Sequence, residues 1–167
     1  MSGKGRKVCG QIILYCFIVS FICLLDQISK IYAERFLSLN GSVPLIKNVL
    51  HLTLIHNTGA AFGMFRGHSH AFAFVAVFSI LFILFYFIKK EHILAGAEKT
   101  ALAFILGGAL GNFIDRIRLG CVVDFIDFRI WPVFNVADSF ITIGVTILVI
   151  TLIFEAKEKS HNVGVEG

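Results

Sequence analysis

Two aspartates near the last apolar segment of the chain are the residues whose type and setting suggest chemistry. Asp124 lies in C-V-V-D-F-I-D-F and Asp138 in F-N-V-A-D-S, and both adjoin segments built for lipid. An ionisable side chain at membrane depth is costly and usually functional. Two carboxyls held near each other cannot both ionise easily, so they share a proton. One can then activate water while the other polarises a carbonyl, which predicts the chemistry of an aspartic peptidase.

The spacing of these two aspartates also leaves a structural alternative open. Asn135 has the residue type of an N-cap and stands three residues before Asp138, which would then lie in the first helical turn. The helix dipole favours a charged group there. In that case Asp138 is a helix-start acid and Asp124 a loop acid. If the pair is catalytic, we expect Asp138 to be the ionised partner and Asp124 to carry the proton.

A second constellation lies in G-G-A-L-G-N-F-I-D-R. Gly107 and Gly111 form a pair of small residues that lets another helix approach closely. Asn112, Asp115 and Arg116 share one helix face. The spare donors of Arg116 can hold a carboxylate or a substrate carbonyl. For Asp115, a structural network at the helix end is an equal alternative.

Two further polar groups accompany these. Asn57, in H-N-T-G-A-A-F-G, has an amide that can bind a peptide backbone, although a plain turn is the simpler interpretation. Asp26 and Lys30 have the i,i+4 spacing of an ordinary stabilising ion pair at the end of the first apolar segment.

The composition defines the elements that must position these residues. A hydrophobic fraction of 57%, a mean hydropathy of +0.84 and 18 Phe indicate a small polytopic membrane protein. We expect an all-α fold class with four transmembrane helices and a small extracytoplasmic β-sheet cradle, in a single domain 1–167. The expected ranges are helices at about 8–30, 69–90, 98–116 and 134–156, an outer β and loop segment at about 37–68, and a disordered tail at 157–167.

The outer segment has its own signals. The β-branched, partly alternating stretch Val49–His56 predicts a strand. Asn40-Gly41 and Val43-Pro44 predict turns. A short half-buried segment, Gly59–Phe65, is expected to follow the strand.

The positive charges predict the orientation. An even number of helices places both termini on one side, and basic residues flank that side, so both termini are expected in the cytoplasm. Those residues are Lys4, Arg6, Lys7, Lys89, Lys90 and Lys99. The first apolar run, Val8–Leu25, is expected to be a retained signal anchor. The polar clusters then all lie at the outer ends of the helices.

Several function classes are excluded. The net charge of +4 forms no basic face, so no nucleic-acid partner is expected. Cys9, Cys16, Cys23 and Cys121 form no C-x-x-C pair, and the histidines form no H-x-x-x-H pair, so no metal is expected. A carboxyl pair and water need no cofactor.

Taken in order, these motifs resemble those of the lipoprotein signal peptidases (signal peptidase II), the aspartyl peptidases of bacterial inner membranes. The matching pieces are D-Q-I-S-K, N-T-G-A-A-F, G-G-A-L-G-N-F-I-D-R, V-V-D-F and F-N-V-A-D-S. The resemblance covers most of the chain. It implies an endopeptidase that removes the signal peptide from diacylglyceryl-modified prolipoproteins by cutting before the lipidated cysteine, with its site at the periplasmic face.

The resemblance also implies roles for individual residues and partners. The catalytic dyad maps onto Asp124 and Asp138. The side chains that bind substrate map onto Asn57, Asn112, Arg116 and Asn135. Asp26 and Lys30 map onto a structural pair. The implied partners are diacylated prolipoproteins, membrane lipid and globomycin-type inhibitors.

Two other classes remain as rivals. A small proton-coupled four-helix transporter also places carboxylates in a helical bundle, but usually near the membrane midplane. A non-enzymatic assembly subunit would tolerate loss of both aspartates.

Overall fold

A computed structural model of the chain describes residues 3–39, 41–59, 69–90 and 94–165, with side chains described for 10–39, 41–59, 74–89 and 94–157. Within these ranges the chain forms helices and a small sheet. In chain order the elements are α1 (Gly3–Phe36), β1 (Ser42–Ile46), β2 (Leu50–Asn57), α2 (Ser69–Lys90), α3 (Gly96–Leu119), β3 (Val122–Asp127) and α4 (Val136–Val165).

The helices are those of a membrane protein. Lipid offers no hydrogen-bond partners to the backbone, so an apolar chain within it must satisfy its own N–H and C=O groups as a helix. Three described stretches are long and apolar enough to cross a bilayer: Gly10–Phe36, Gly96–Leu119 and Val136–Lys157. The apolar stretch of α2, Phe74–Lys89, is shorter. The all-α membrane fold with a small β-sheet is confirmed, and the count of four spans stays a prediction.

Large apolar side chains cover the outer surfaces of these helices. A water-soluble protein rarely exposes so much contiguous apolar surface, whereas lipid tails solvate it. Examples are Ile13, Phe17, Phe21, Phe78, Phe82, Phe85, Ile143, Val149 and Phe154.

Helix α3 is central and packs against the other three helices. Its glycines allow the approach of α1. A Cβ atom added at Gly107 would lie 2.9 Å from Ile22 Cβ and 3.2 Å from the Val19 carbonyl oxygen. One added at Gly111 would collide with the Asp26 carboxylate. The predicted role of this glycine pair in close helix packing is therefore confirmed.

The sheet caps one end of the helices, in the antiparallel order β1-β2-β3. The predicted strand Val49–His56 is confirmed as β2. Strand β3 is a finding that the sequence does not predict, because its partner β2 lies far away along the chain. A buried cluster of Ala33, Leu54, Val123 and Phe125 holds the sheet against the end of α1.

The predicted turn at Val43-Pro44 is wrong, because both residues lie in β1. Proline has no N–H to donate, so strands accept it at a sheet edge, and β1 is an exposed edge strand with a register shift between Pro44 and Ile46. At the other predicted turn, Gly41 N–H donates to the Ser38 carbonyl at 2.7 Å, while Asn40 lies outside the described residues.

Two further expectations concern the ends of segments. Helix α4 continues to Val165, whereas the sequence predicts a disordered tail over 157–167. The reason is that Glu155, Ala156 and Lys157 are strong helix formers, and they extend a helix that is already nucleated. Of the expected half-buried segment Gly59–Phe65, Gly59 is buried, and 60–65 lie outside the described residues.

Candidate active site

Strand β3 places Asp124 in the interior, at the junction of the sheet and the helices. It pairs with Ile55 of β2, and only 2% of it is exposed. Its carboxylate accepts hydrogen bonds from Asn57 Nδ2 at 2.9 Å and from Asn135 Nδ2 at 2.7 Å. Asp124 is therefore a strand residue held by two amides, and the interpretation as a loop acid is wrong.

The first turn of α4 positions Asp138, as predicted. Asn135 caps this helix, because its Oδ1 accepts from the Asp138 N–H at 2.9 Å. In return, the Asn135 N–H donates to Asp138 Oδ2 at 3.4 Å. Asn112 Nδ2 donates to the other carboxylate oxygen at 2.7 Å. Asp138 is partly exposed, whereas Asp124 is buried.

Asn135 joins the two aspartates. It is fully buried, and it contacts Asp124 through its side-chain amide and Asp138 through both its backbone and its side chain. The same amide also donates to Asn112 Oδ1 at 3.0 Å. The two carboxyls thus lie on either side of one asparagine, which brings together the residues that the sequence identifies as candidates.

The environment of Asp124 favours its protonated form. Burial, and then the negative charge of Asp138, raise the pKa of Asp124 to about 7. The hydrogen bonds from Asn57 and Asn135 favour the charged form and oppose this rise in part. At neutral pH, Asp124 therefore carries a proton for much of the time.

The second acid of β3, Asp127, has the opposite environment. Burial would raise its pKa, but hydrogen bonds from Thr53 Oγ1 at 2.7 Å and from the Arg129 N–H at 2.7 Å, with the charge of Arg129, lower it overall. Asp127 is therefore an ionised structural acid. Thr53 and Asp127 provide a local comparison for Asn57 and Asp124, since each pair joins β2 to a carboxylate of β3.

Asp26 and Lys30 belong to a buried network and not to an ordinary surface pair. Lys30 Nζ lies 2.8 Å from Asp26 Oδ2 and 2.8 Å from Asp115 Oδ2. It also donates to Asn112 Oδ1 at 2.9 Å, and Asn112 in turn donates to Asp138. The Lys30 side chain is only 3% exposed, and its positive charge compensates two carboxylates that would otherwise be costly to bury.

The two acids of this network hold the backbone beside the aspartate pair. Asp26 Oδ1 accepts from the Ala137 N–H at 2.9 Å, one residue before Asp138. Asp115 Oδ2 accepts from the Val123 N–H at 3.1 Å, one residue before Asp124. Both acids therefore fix the elements that present the pair, which favours the structural alternative for Asp115.

Asn57 and Arg116 lie at the edges of the same site. The Oδ1 atom of Asn57 accepts from the Gly59 N–H at 3.0 Å, while its Nδ2 donates to Asp124. It therefore forms a turn and contacts the site as well. Arg116 Nη1 donates to the Asn112 carbonyl at 3.3 Å, and its guanidinium interacts electrostatically with Asp138 and Asp124.

Sequence reasoning misses Gln27. Its Nε2 donates to Asp115 Oδ1 at 2.9 Å and to the Gly111 carbonyl at 3.1 Å, which joins α1 to α3. The available signal is an amide side chain directly after Asp26 in an apolar segment. Among the residues that the structure describes, no group of three His, Cys, Asp or Glu is arranged to hold a metal ion.

Comparison with known proteins connects this geometry to a family. The family model described as signal peptidase (SPase) II matches residues 18–154. A lipoprotein signal peptidase of Caldanaerobacter subterraneus is 48% identical over 139 residues, which cover 83% of this chain and 94% of the relative. The chain belongs to the signal peptidase II family.

Other members agree along most of their length. The lipoprotein signal peptidase of Halothermothrix orenii is 45% identical, over 81% of this chain and 92% of the relative. The lipoprotein signal peptidase of Clostridioides difficile is 43% identical, over 87% of this chain and 99% of the relative. A solved bacterial membrane enzyme superposes with a TM-score of 0.82 at 34% identity, and covers 89% of this chain and 92% of its own.

Membership of the signal peptidase II family makes the chain a membrane peptidase. It confirms the family that the motifs of the sequence indicate. The proton-coupled transporter has no support from these comparisons.

Proposed function

We propose that the chain removes signal peptides from diacylglyceryl-modified prolipoproteins, by hydrolysing the peptide bond before the lipidated cysteine. The family match supports the substrate class. The single observation that carries the chemistry is that Asp124 and Asp138 both hydrogen-bond to the buried Asn135. This arrangement suits an acid pair that shares one proton.

In the proposed mechanism the two carboxyls have different roles. Asp138, ionised and partly exposed, removes a proton from the attacking water, whose oxygen bonds to the scissile carbonyl carbon. Protonated Asp124 transfers its proton to the carbonyl oxygen, and a tetrahedral diol forms. Asp138 then gives its proton to the leaving nitrogen as the C–N bond breaks, and Asp124 takes a proton back from the diol.

The neighbouring side chains have proposed positioning roles. Asn112 and Asn135 hold the Asp138 carboxylate, and Asn57 and Asn135 hold that of Asp124. The charge of Arg116 interacts with both carboxyls. We propose that its guanidinium binds the substrate backbone. An arginine presents several fixed donors, which suits the orientation of peptide carbonyls.

The proposed location is the bacterial inner membrane, with both termini in the cytoplasm and the acid pair at the periplasmic face. The positive charges that flank α1 and fill the α2–α3 connection support this orientation. A substrate that is anchored by a signal helix and acyl chains would approach sideways through the lipid. Globomycin-type inhibitors are proposed to occupy the same site.

Cleavage of a diacylated lipobox peptide by the purified chain tests this function. We expect Asp124→Asn and Asp138→Asn each to lower the rate by at least about a thousandfold, because neither carboxamide can exchange the required proton. Asp127→Asn is the matched control, since Asp127 lies on the same strand and its partners are Thr53 and Arg129. It should retain cleavage.

Thermal unfolding in the same micelles separates lost chemistry from lost folding. A folded variant at either dyad position that cleaves at the wild-type rate would refute the assignment. If the wild-type chain cleaves no diacylated peptide, the substrate assignment fails instead. Competition with globomycin should inhibit the wild-type chain.

A further inference from the structure

An apolar groove lies between α1, α2 and α3, away from the acid pair. Its volume is about 490 Å³, within the range of cavities that hold small ligands. The side chains that line it include Tyr15, Cys16, Leu84, Phe87, Leu102 and Leu106. None of the described residues of α4 or of the sheet lines it. The groove is therefore separate from the site that holds Asp124 and Asp138.

The groove has the length of one membrane leaflet. It runs along α1 from Ile12 to Ser20 and along α3 from Leu102 to Leu110. Eight residue steps at about 1.5 Å each give roughly 12 Å, close to half of a hydrocarbon core of about 30 Å. The aspartate network begins beyond its far end, at Asp26 and Gly111. Along α3 the groove covers the middle of Gly96–Leu119 and ends just before Gly111, so it adjoins the aspartate network without including the acid pair.

A buried cation lies about one helical turn beyond the near end of this groove. Lys99 stands three residues before Leu102 on α3 and is only 7% exposed. Within the described residues its Nζ donates to Gln11 Oε1 at 3.4 Å, and Gln11 directly precedes Ile12 of the groove. That bond is long, and an amide oxygen does not neutralise an ammonium. Lysine has three N–H donors, so the Lys99 ammonium can also donate a hydrogen bond to an anion.

The near end of the groove thus combines the Lys99 ammonium with an apolar channel that runs along the helices. This combination complements a molecule with a negative head and a hydrocarbon tail.

We propose that the groove binds one anionic phospholipid, with an acyl chain between α1, α2 and α3 and the phosphate on Lys99. The lipid fills the space between α2 and the rest of the bundle, and it would stabilise their packing. The site is independent of cleavage, because its residues do not contact the aspartate pair.

Native mass spectrometry of the full chain, released from micelles that contain phosphatidylglycerol or phosphatidylcholine, tests this proposal. We expect one retained phosphatidylglycerol per chain, and about tenfold weaker retention of phosphatidylcholine. Lys99→Gln should weaken the binding of phosphatidylglycerol about tenfold. Lys47→Gln, which removes the same charge from the exposed β1–β2 turn, is the matched control and should have no effect.

A second pair of variants tests the apolar part of the site. Cys16→Trp places a large side chain in the groove, and Ile13→Trp places one on an exposed face of the same helix. The first should lose the bound lipid and the second should keep it. Equal retention of both lipids with no effect of Lys99→Gln would overturn the proposal. Displacement of the lipid, one for one, by an apolar signal-peptide helix would also overturn it, since the groove would then belong to the substrate.

Discussion

The hydrogen bond from Asn57 to Asp124 predicts a change in the pH profile of cleavage. Asn57 Nδ2 donates to Asp124 Oδ2 at 2.9 Å and stabilises the ionised carboxylate, so it lowers the pKa of Asp124 against the larger effects of burial and Asp138. Asn57→Ala removes this donor. The pKa of Asp124 should therefore rise further above its present value of about 7.

The size of the shift follows from the energy of the bond. A hydrogen bond to a charged group contributes about 1.5–3 kcal/mol, and the lower value corresponds to about one pKa unit. The proposed mechanism needs a protonated Asp124, so activity is lost as the pH rises through its pKa. If the pKa of Asp124 shifts from about 7 to about 8, the ratio of the variant rate to the wild-type rate should increase roughly eightfold between pH 6 and pH 9.

The assay is kcat/KM for a diacylated lipobox peptide across pH 5 to 9 in micelles, because this ratio reports the pKa values of the free enzyme. Thr53→Val is the matched control. Thr53 makes the equivalent bond from β2 to β3, but to Asp127. An unshifted or lowered pH limb in Asn57→Ala, or an equal shift in Thr53→Val, would refute the reasoning.

Three further predictions concern stability, each measured by denaturant or thermal unfolding in micelles. Lys30→Met leaves two buried carboxylates without their cation and should cost about 3–5 kcal/mol; wild-type stability would contradict the network. Gly111→Ala drives a Cβ into Asp26 and should cost about 1–3 kcal/mol, whereas Gly10→Ala, with open space around it, should not. Because the pKa of Asp124 is raised in the folded state, its contribution to stability is complete below about pH 4 and is lost as the pH rises through about 7. Relative to Asp124→Asn, the free energy of unfolding of wild type should fall by about 4 kcal/mol between pH 4 and pH 8. Parallel plots of stability against pH for the two proteins would contradict this.

The sequence predicts the helices and the acid pair because both signals are local. Hydropathy marks each span within its own residues, and the N-cap at Asn135 precedes Asp138 by three positions. Strand β3 is different, because its strand character depends on pairing with β2, as in Ile55 with Asp124. A short stretch of V-V-D-F-I-D carries no information about that distant partner.

The role of Lys30 shows the same limit. Its spacing from Asp26 indicates an ordinary i,i+4 pair, and that pair is present. Its contacts with Asp115 and Asn112 depend on how closely α1 and α3 approach. Gly111 is the local sign of this approach, but the sequence does not indicate which polar side chains it brings together.

The four acids of the site divide by the kind of partner that each contacts. Asp26 and Asp115 share Lys30, whose positive charge offsets theirs, and each holds a backbone N–H beside Asp124 or Asp138. Asp124 and Asp138 instead receive hydrogen bonds from asparagine amides. An amide fixes the position of a carboxyl without neutralising it, so the charge of Asp138 still raises the pKa of Asp124. The same buried network therefore contains acids that position the backbone and acids that can transfer a proton, and Asn112 connects the two sets.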